Sequence, residues 1–179
     1  MKRRSEMFKV GILIDGQNSM FWKIDYNRLI EYVFRKYERC EPRVVIKNFY
    51  VCIEVDRSRK QVSEDNNKFL DFLTLNGYTV SKRKYRRGQK VDLDAKIGSE
   101  LRKHSAHCDM LVLIAGDGDY LPVLQDLIEE VGQMFLIITE RRPASSDVED
   151  IEHIRNSNIE VEFLSDLGIY KNESGGDLV

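Results

Sequence analysis

The stretch "LVLIAGDGDYLPVL", residues 111–124, joins an apolar run to a glycine-rich turn that carries two acids. The run "LVLIA" is apolar at every position, which is typical of a parallel strand covered by helices on both faces. The turn then places Asp117 and Asp119 two residues apart, just before a helical pattern that contains Pro122. The stretch therefore predicts a buried strand, a turn and a helix, with two carboxylates where the strand ends.

The same alternation of short apolar runs and longer amphipathic stretches extends along the chain, and it indicates an α/β domain. The predicted strands are "KVGILI" (9–14), "RVVIKNFYVC" (43–52), "YTVSKR" (78–83), "MLVLIA" (110–115), "MFLIIT" (134–139) and "EVEFL" (160–164). The predicted helices cover residues 26–37, 64–76, 92–103, 121–131 and 146–155. Because "ILI" and "FLII" are also continuously apolar, we expect a mostly parallel sheet.

Composition narrows the class of protein. A chain of 179 residues with 42% hydrophobic residues can bury the core of one globular domain. Lys and Arg number 28 against 30 for Asp and Glu, so any attraction to a nucleic acid must be local. Cys40, Cys52 and Cys108 form no CxxC pair, which argues against a disulfide framework and a cysteine zinc site. With no apolar run of membrane-spanning length, we expect a cytoplasmic location and no membrane partner.

A second apolar run, "VGILIDGQN" (10–18), also ends in an acid, Asp15. Sites in open parallel sheets form outside the carboxyl ends of strands, near the point where the strand order reverses. If these two strands are neighbours, Asp15, Asp117 and Asp119 converge there. A third segment, "GQKVDLDAKIGSEL" (88–101), opens a predicted helix with Asp92 and Asp94. Capping is the favoured interpretation of Asp94, whereas Asp92 joins the site if this helix begins at the same crevice.

Carboxylates gathered at close range repel one another unless a cation lies between them. One or two hard divalent ions make such a cluster favourable, and Mg²⁺ or Mn²⁺ suits all-oxygen ligands. Two such ions can stabilise both the attacking and the leaving oxygen of a phosphodiester displacement. The alternative for the doublet is a structural turn in which Asp119 caps the following helix.

The basic stretch "KRKYRRGQK" (82–90) places six cations around Tyr85, immediately before Asp92. Such a run is often a solvated loop, but beside an acidic site it favours a flap that contacts phosphates, with Tyr85 available to stack on a base. The candidate RNA-binding residues are Lys82, Arg83, Lys84, Tyr85, Arg86, Arg87 and Lys90.

Three segments, "ILIDGQN", "GQKVDLDAKIGSEL" and "LVLIAGDGDYLPVLQDLIEEVGQ", resemble the signature segments of NYN domains, a branch of the PIN-like nuclease superfamily. The resemblance implies a PIN-like three-layer α/β/α sandwich over residues 9–165, with an extension at 1–8 and a flexible tail at 166–179. It further implies a metal-dependent ribonuclease in which a metal-activated water attacks the phosphorus and leaves a 5′-phosphate. Carried over position by position, the implied site residues are Asp15, Asn18, Asp92, Asp117 and Asp119, with the four aspartates as metal ligands.

Two positions depart from that pattern. Gly98 stands where many relatives carry a further acid, and Ala115 stands where a serine is frequent. An alternative function is therefore a weakened or inactive module that binds RNA or protein and retains the acidic pocket. "DGQNS" (15–19) also partly resembles the metal-dependent adhesion motif of von Willebrand-like domains, with Gln17 replacing its middle serine. The sequence leaves open whether the RNA is single-stranded or structured, and whether the chain forms a homo-oligomer or binds a protein partner.

Overall fold

The computed structural model describes residues 7–19, 23–54, 60–86, 93–116, 118–140 and 156–169, without the side chains of Asn18, Glu54 and residues 60–65. The described strands are β1 (Phe8–Asp15), β2 (Pro42–Glu54), β3 (Thr79–Tyr85), β4 (Met110–Ile114), β5 (Met134–Thr139) and β6 (Ile159–Phe163). The described helices are α1 (Gly16–Ser19), α2 (Tyr26–Lys36), α3 (Lys60–Leu75), α4 (Asp94–Ser105), α5 (Leu121–Val131) and α6 (Leu164–Leu167). Short 3₁₀ turns cover Glu38–Cys40 and Gly118–Tyr120.

These strands form one six-stranded sheet in the order β3-β2-β1-β4-β5-β6, and every neighbouring pair is parallel. The chain builds outward from β1 to β3 and then returns to the other side of β1 with β4. The strand order therefore reverses between β1 and β4, where Ile14 lies opposite Ile114. The expectation that these two strands are neighbours is confirmed.

Helices cover both faces of the sheet. On one face, Leu29 and Val33 of α2 pack with Leu70 and Leu73 of α3 against the sheet. On the other face, the buried helical residues are Ile97 and Leu101 of α4 and Leu124 and Leu127 of α5. The predicted α/β/α sandwich is confirmed, and its continuously apolar central strands are explained by burial on both sides.

The ends of the helices follow local chemistry. The Asp25 side chain accepts hydrogen bonds from the backbone N–H groups of Asn27 and Arg28, which caps α2. At the end of α5, Gly132 adopts a left-handed conformation with φ of 66°, which is typical of a helix-ending glycine. The predicted helix at 146–155 lies outside the described residues. None of the helices described here has the length and apolar character needed to cross a membrane.

Candidate functional site

Asp15 is the last residue of β1, and its side chain is only 2% exposed. Its Oδ1 accepts a hydrogen bond of 2.9 Å from the backbone N–H of Gln17. The next residue must be glycine, because a Cβ on Gly16 would lie 2.5 Å from the ring of Phe49 and 2.6 Å from the carbonyl oxygen of Tyr50. The turn after β1 is therefore pressed against β2, and this close approach fixes the position of the Asp15 carboxylate.

Tyr120 links this carboxylate to a second one. Its hydroxyl lies 2.9 Å from Oδ2 of Asp15 and 2.8 Å from Oδ1 of Asp94. The phenol is 2% exposed and belongs to the 3₁₀ turn that precedes α5. Because a hydroxyl carries a single proton, it can donate to only one of the two carboxylates at a time. The ends of β1 and the start of α4 thus meet at one shared donor.

Electrostatics keep Tyr120 in the donating form. Burial raises the pKa of the Tyr120 phenol far above its usual value, and the charges of Asp15 and Asp94 raise it further. The same two carboxylates act on Cys52, whose thiol pKa is raised chiefly by burial and lowered in part by Arg83. Cys52 therefore lies close enough to the acidic pair for the charges of Asp15 and Asp94 to act on its thiol.

The structure brings together only part of the predicted acidic set. Asp92 and Asp117 lie outside the described residues, and Asn18 lies in α1 with an undescribed side chain. Asp119 lies in the 3₁₀ turn with an exposed side chain. It does not occupy the N-cap position of α5, which belongs to Tyr120 without a capping side-chain hydrogen bond. The structural-turn alternative, in the form that made Asp119 the cap, is therefore wrong.

The favoured interpretation of Asp94 is met in part, because this acid lies in the first turn of α4, where it complements the helix dipole, but it does not hold the N-cap position. Leu93 holds the N-cap position of α4, and Asp94 is the first helical residue. Its carboxylate reaches Tyr120 and so belongs with Asp15 at the edge of the sheet. The sequence predicts Asp92 rather than Asp94 as the ligand of this segment, and it predicts no role in the site for Tyr120. Tyr120 directly follows Asp119, but nothing in the sequence indicates which way its phenol points.

Within the sheet, the side chains of the basic stretch (82–90) project from two different faces. Its first four residues, 82–85, belong to β3 rather than to a loop, because β2 extends to Glu54 and supplies partners as far as Tyr85. Arg83 pairs with Cys52, and alternate residues of a strand share a face. Arg83 and Tyr85 therefore project on the α4 side, which is the side of Asp15.

The remaining members of the stretch are placed differently. Lys82 and Lys84 pair with Val51 and Ile53 and so project from the opposite face. Both lysines are exposed on β3, which is an edge strand of the sheet. Arg86 follows the strand and is exposed, whereas Arg87 and Lys90 lie outside the described residues. A ligand that contacts both faces of the stretch would have to pass around this edge.

The chemistry of the site suits a hard divalent ion, because Asp15 and Asp94 offer carboxylate oxygens at the crevice where the strand order reverses. Within the ranges given above, no three or more His, Cys, Asp or Glu side chains are grouped so as to hold a metal. The described part of the site thus supplies two adjacent carboxylates, and the predicted ligands Asp92 and Asp117 fall in the gaps.

The structure shows the surroundings of both positions that depart from the family pattern, Gly98 and Ala115. Gly98 lies one helical turn after Asp94 on α4, and a Cβ there would have Val123 Cγ1 at 3.9 Å as its nearest contact. A side chain therefore fits at position 98. Ala115 follows β4 and is 1% exposed within the core under α4 and α5.

A solved structure that is similar to this chain agrees with this architecture. A protein of unknown function from Vibrio parahaemolyticus, VPA0982, has a crystal structure that matches with a TM-score of 0.65 and 20% sequence identity, covering 90% of this chain and 96% of that one. At this identity the likeness bears on the fold alone. A de novo designed protein with a P-loop NTPase fold matches with a TM-score of 0.46 and 13% identity, covering 90% and 86%.

No curated protein matches the chain. The family model of the NYN domain, by contrast, matches residues 9–165. That match includes β1, β4 and the elements that carry Asp15, Asp94 and Tyr120. The chain therefore belongs to the NYN domain family, and this membership implies a function of the nuclease type.

Proposed function

We propose that the chain is a metal-dependent ribonuclease that hydrolyses RNA phosphodiester bonds with Mg²⁺ or Mn²⁺. The observation that carries this proposal is the meeting of Asp15 and Asp94 around the single hydroxyl of Tyr120. This pair lies where β1 and β4 adjoin, at the reversal of strand order. The proposed ligand set combines the family positions with the observed pair: Asp15, Asp92, Asp94, Asp117 and Asp119.

Charge supplies the physical reason. Two carboxylates that share one donor concentrate negative charge in a largely buried space, which a divalent cation would offset. When bound, such an ion would lower the pKa of a coordinated water and stabilise negative charge on the phosphate oxygens. The protein holds its own ligands in advance, because Asp15 is fixed by the Gln17 N–H and by Tyr120.

Other residues of the chain would bind and orient the RNA. Arg83 projects on the same side of the sheet as Asp15 and would contact a phosphate, while Tyr85 on that side would stack on a base. Lys82 and Lys84 would contact a strand that passes around the edge of β3. Asn18, just after β1, would hold a neighbouring carboxylate in place.

The compartment and the extent of the domain are part of the proposal. All three cysteines are free thiols, with Cys40 exposed and Cys108 buried, which fits a reducing cytoplasm. The NYN domain would occupy residues 9–165, with residues 1–8 as an extension and 166–179 as a tail, although α6 extends to Leu167 and Ile169 is buried in the core on the α2–α3 side.

The test is cleavage of an end-labelled, partly structured RNA by wild type and by Asp15→Asn, with Mn²⁺, Mg²⁺ or EDTA. We expect wild type to cut only with metal. We expect Asp15→Asn to lose activity by a factor on the order of a hundred or more, because a carboxylate ligand becomes a neutral amide. Asn keeps an oxygen that can accept from the Gln17 N–H, so circular dichroism should show a retained fold.

A matched control is Asp126→Asn on α5, which removes an exposed carboxylate paired with Arg102. This variant should cut like wild type. Cleavage by Asp15→Asn at the wild-type rate would refute the proposed site. If wild type binds the RNA in EDTA but never cuts it, the chain is the binding module that Gly98 makes an alternative, since that position lacks the further acid.

A further inference from the structure

A polar groove of about 440 Å³ lies between α4 and β3, outside the pair of acids. Its floor includes Asn48 and Tyr50 of β2 together with Ser81 of β3. Tyr50 and Ser81 are opposite each other in the β2–β3 register, so their side chains share the face covered by α4. The groove falls within the size range of sites that bind small ligands.

The groove exists because α4 covers only part of this face. The helix buries Ile97 and Leu101 against the sheet, and its next flank stands beside the edge strand β3. That flank carries four polar side chains into the groove wall: Lys96, Glu100, Lys103 and His104. Polar residues of β2 and β3 therefore face polar residues of α4 across an accessible space.

The charges of the wall favour an anion. Two lysines of α4, Lys96 and Lys103, line the groove against the single carboxylate of Glu100. Lys47 also borders the groove, but its ammonium donates to the carbonyl oxygen of Asn76 and lies 4.8 Å from the centre of the Tyr78 ring. Glu100 is already engaged, because its oxygens lie 2.7 Å from Lys96 Nζ and 3.5 Å from Lys103 Nζ. The hydrogen bond from Lys96 is the main reason that the Glu100 pKa is lowered, so this carboxylate stays charged and paired. The positive charge that remains in the groove is available to a phosphate.

The floor offers hydrogen-bonding groups of the kind that read a base or a ribose. Asn48 Nδ2 donates to the Tyr50 hydroxyl at 2.9 Å and lies 3.2 Å from Nε2 of His104. His104 Nε2 also lies 3.1 Å from Glu100 Oε2. This ring nitrogen can form a hydrogen bond with either Asn48 or Glu100, but not with both at the same time. Burial lowers the pKa of His104, so the ring is neutral at pH 7 and offers one donor and one acceptor.

The groove lies beside the acidic pair, Asp15 and Asp94, neither of which lines it. Tyr50 lies opposite Asp15 in the β1–β2 register, and Lys96 follows Asp94 by two residues on α4. From Lys96 to His104 the groove wall extends about 12 Å along the helix, at about 1.5 Å per residue. A polymer whose phosphate lay at the acids could therefore continue along α4.

We propose that the α4–β3 groove binds a nucleotide, with its phosphate beside Lys96 and Lys103 and its base or ribose against Asn48 and Ser81. The inference rests on the proposed function in taking the anion to be a nucleotide, and it deepens that function by placing part of the RNA along α4. The nucleotide is either one unit of the RNA strand or a free mononucleotide, and these two sources share the same chemistry.

The experiment measures binding in EDTA, so it does not depend on cleavage. Fluorescence anisotropy follows a labelled ten-residue oligouridylate over a range of salt concentrations, and NMR or calorimetry follows uridine monophosphate. The groove variant is Lys96→Gln with Lys103→Gln, two side chains that are 47% and 65% exposed. The matched control is Arg28→Gln with Arg102→Gln, which also removes two positive charges. Arg28 lies on α2 and pairs with Asp25, and Arg102 lies on α4 and pairs with Asp126, so neither lines the groove.

We expect the groove variant to bind the oligonucleotide on the order of tenfold more weakly, with a salt slope smaller by about one, because both lysine contacts to one phosphate are lost. The control should remain close to wild type. A loss confined to uridine monophosphate would identify a free nucleotide as the ligand, whereas a loss for the oligonucleotide alone would identify the RNA strand.

Equal binding of both ligands by groove variant and control would overturn the inference, as would the failure of wild type to bind either one. Failure of the proposed function is a separate result. It would appear as an absence of cleavage while the groove variant still loses binding.

Discussion

At the scale of single residues, Tyr120 sets the geometry of the acidic pair, Asp15 and Asp94. Its buried hydroxyl lies within hydrogen-bonding distance of two carboxylates that come from different elements, β1 and α4. A neutral donor at that point lowers the cost of placing Asp15 and Asp94 close together. Tyr120 is therefore a positioning residue, since it acts through the acids.

Replacing Tyr120 with phenylalanine tests this role. Tyr120→Phe removes only the hydroxyl, so we expect the free energy of unfolding in EDTA to fall by about 1.5–3 kcal/mol, as for the loss of a buried hydrogen bond to a charged group. Urea denaturation measures the change. The control is Tyr37→Phe, whose hydroxyl donates to Glu160, a side chain that is 47% exposed. The control should lose less than about 1 kcal/mol, and equal losses would contradict a special role for Tyr120.

At the scale of elements, the ends of the strands decide where the acids lie. β1 turns sharply into α1 against β2, and α4 begins at the residue that reaches Tyr120. The first turn is possible because Gly16 has no side chain, while α4 contains a second glycine, Gly98, that has space around it. A side chain is therefore excluded by close contacts at Gly16 but has room at Gly98.

Alanine substitution at the two glycines tests this difference. Gly16→Ala would place a methyl group 2.5 Å from the Phe49 ring, so we expect a loss of stability of about 1–3 kcal/mol from overpacking. Gly98→Ala fills space with an ordinary contact at 3.9 Å, so we expect a gain of about 0.5–1 kcal/mol from helix propensity. Thermal or urea unfolding of both variants gives the comparison. A stable Gly16→Ala protein would show that the corner after β1 can relax.

At the scale of the whole molecule, the fold buries several tyrosines and thereby raises the pKa of their phenols. Tyr26 and Tyr78 belong to the core on the α2–α3 side, and burial raises the pKa of each phenol. Tyr32 has its pKa raised to about 12, first by burial and then by its hydrogen bond to Glu162. Because of these groups, the free energy of unfolding depends on pH in the alkaline range.

The direction of that dependence follows from proton binding. In the unfolded chain these tyrosines ionise near their usual pKa of about 10, whereas the folded chain keeps the protons. Their contribution to stability is fully present below about pH 10 and is lost as the pH rises through the folded values. We therefore expect the free energy of unfolding to fall between pH 10 and 12, measured by urea denaturation. Tyr32→Phe should make the fall shallower, and a flat profile in wild type would contradict the expectation.

The local sequence determined the elements and the acids at their ends. Apolar runs such as "LVLIA" and helical patterns between them are short-range signals, because each depends on which faces of one element are buried. They indicated the strands, a mostly parallel sheet alternating with helices, and the acids where the strands β1 and β4 end. They also indicated that Asp15 would meet the second strand end only on the condition that the two strands were neighbours.

Only the tertiary structure decided that condition and the details of the site. The contact between Asp15 and Tyr120 joins residues 105 positions apart, so no local pattern could encode the direction of the phenol. The division of the basic stretch between two faces depends on how far β3 pairs with β2, and the groove depends on how much of that face α4 covers. Local periodicity reports burial within one element, whereas a site is built by contacts between elements that the chain brings together from a distance.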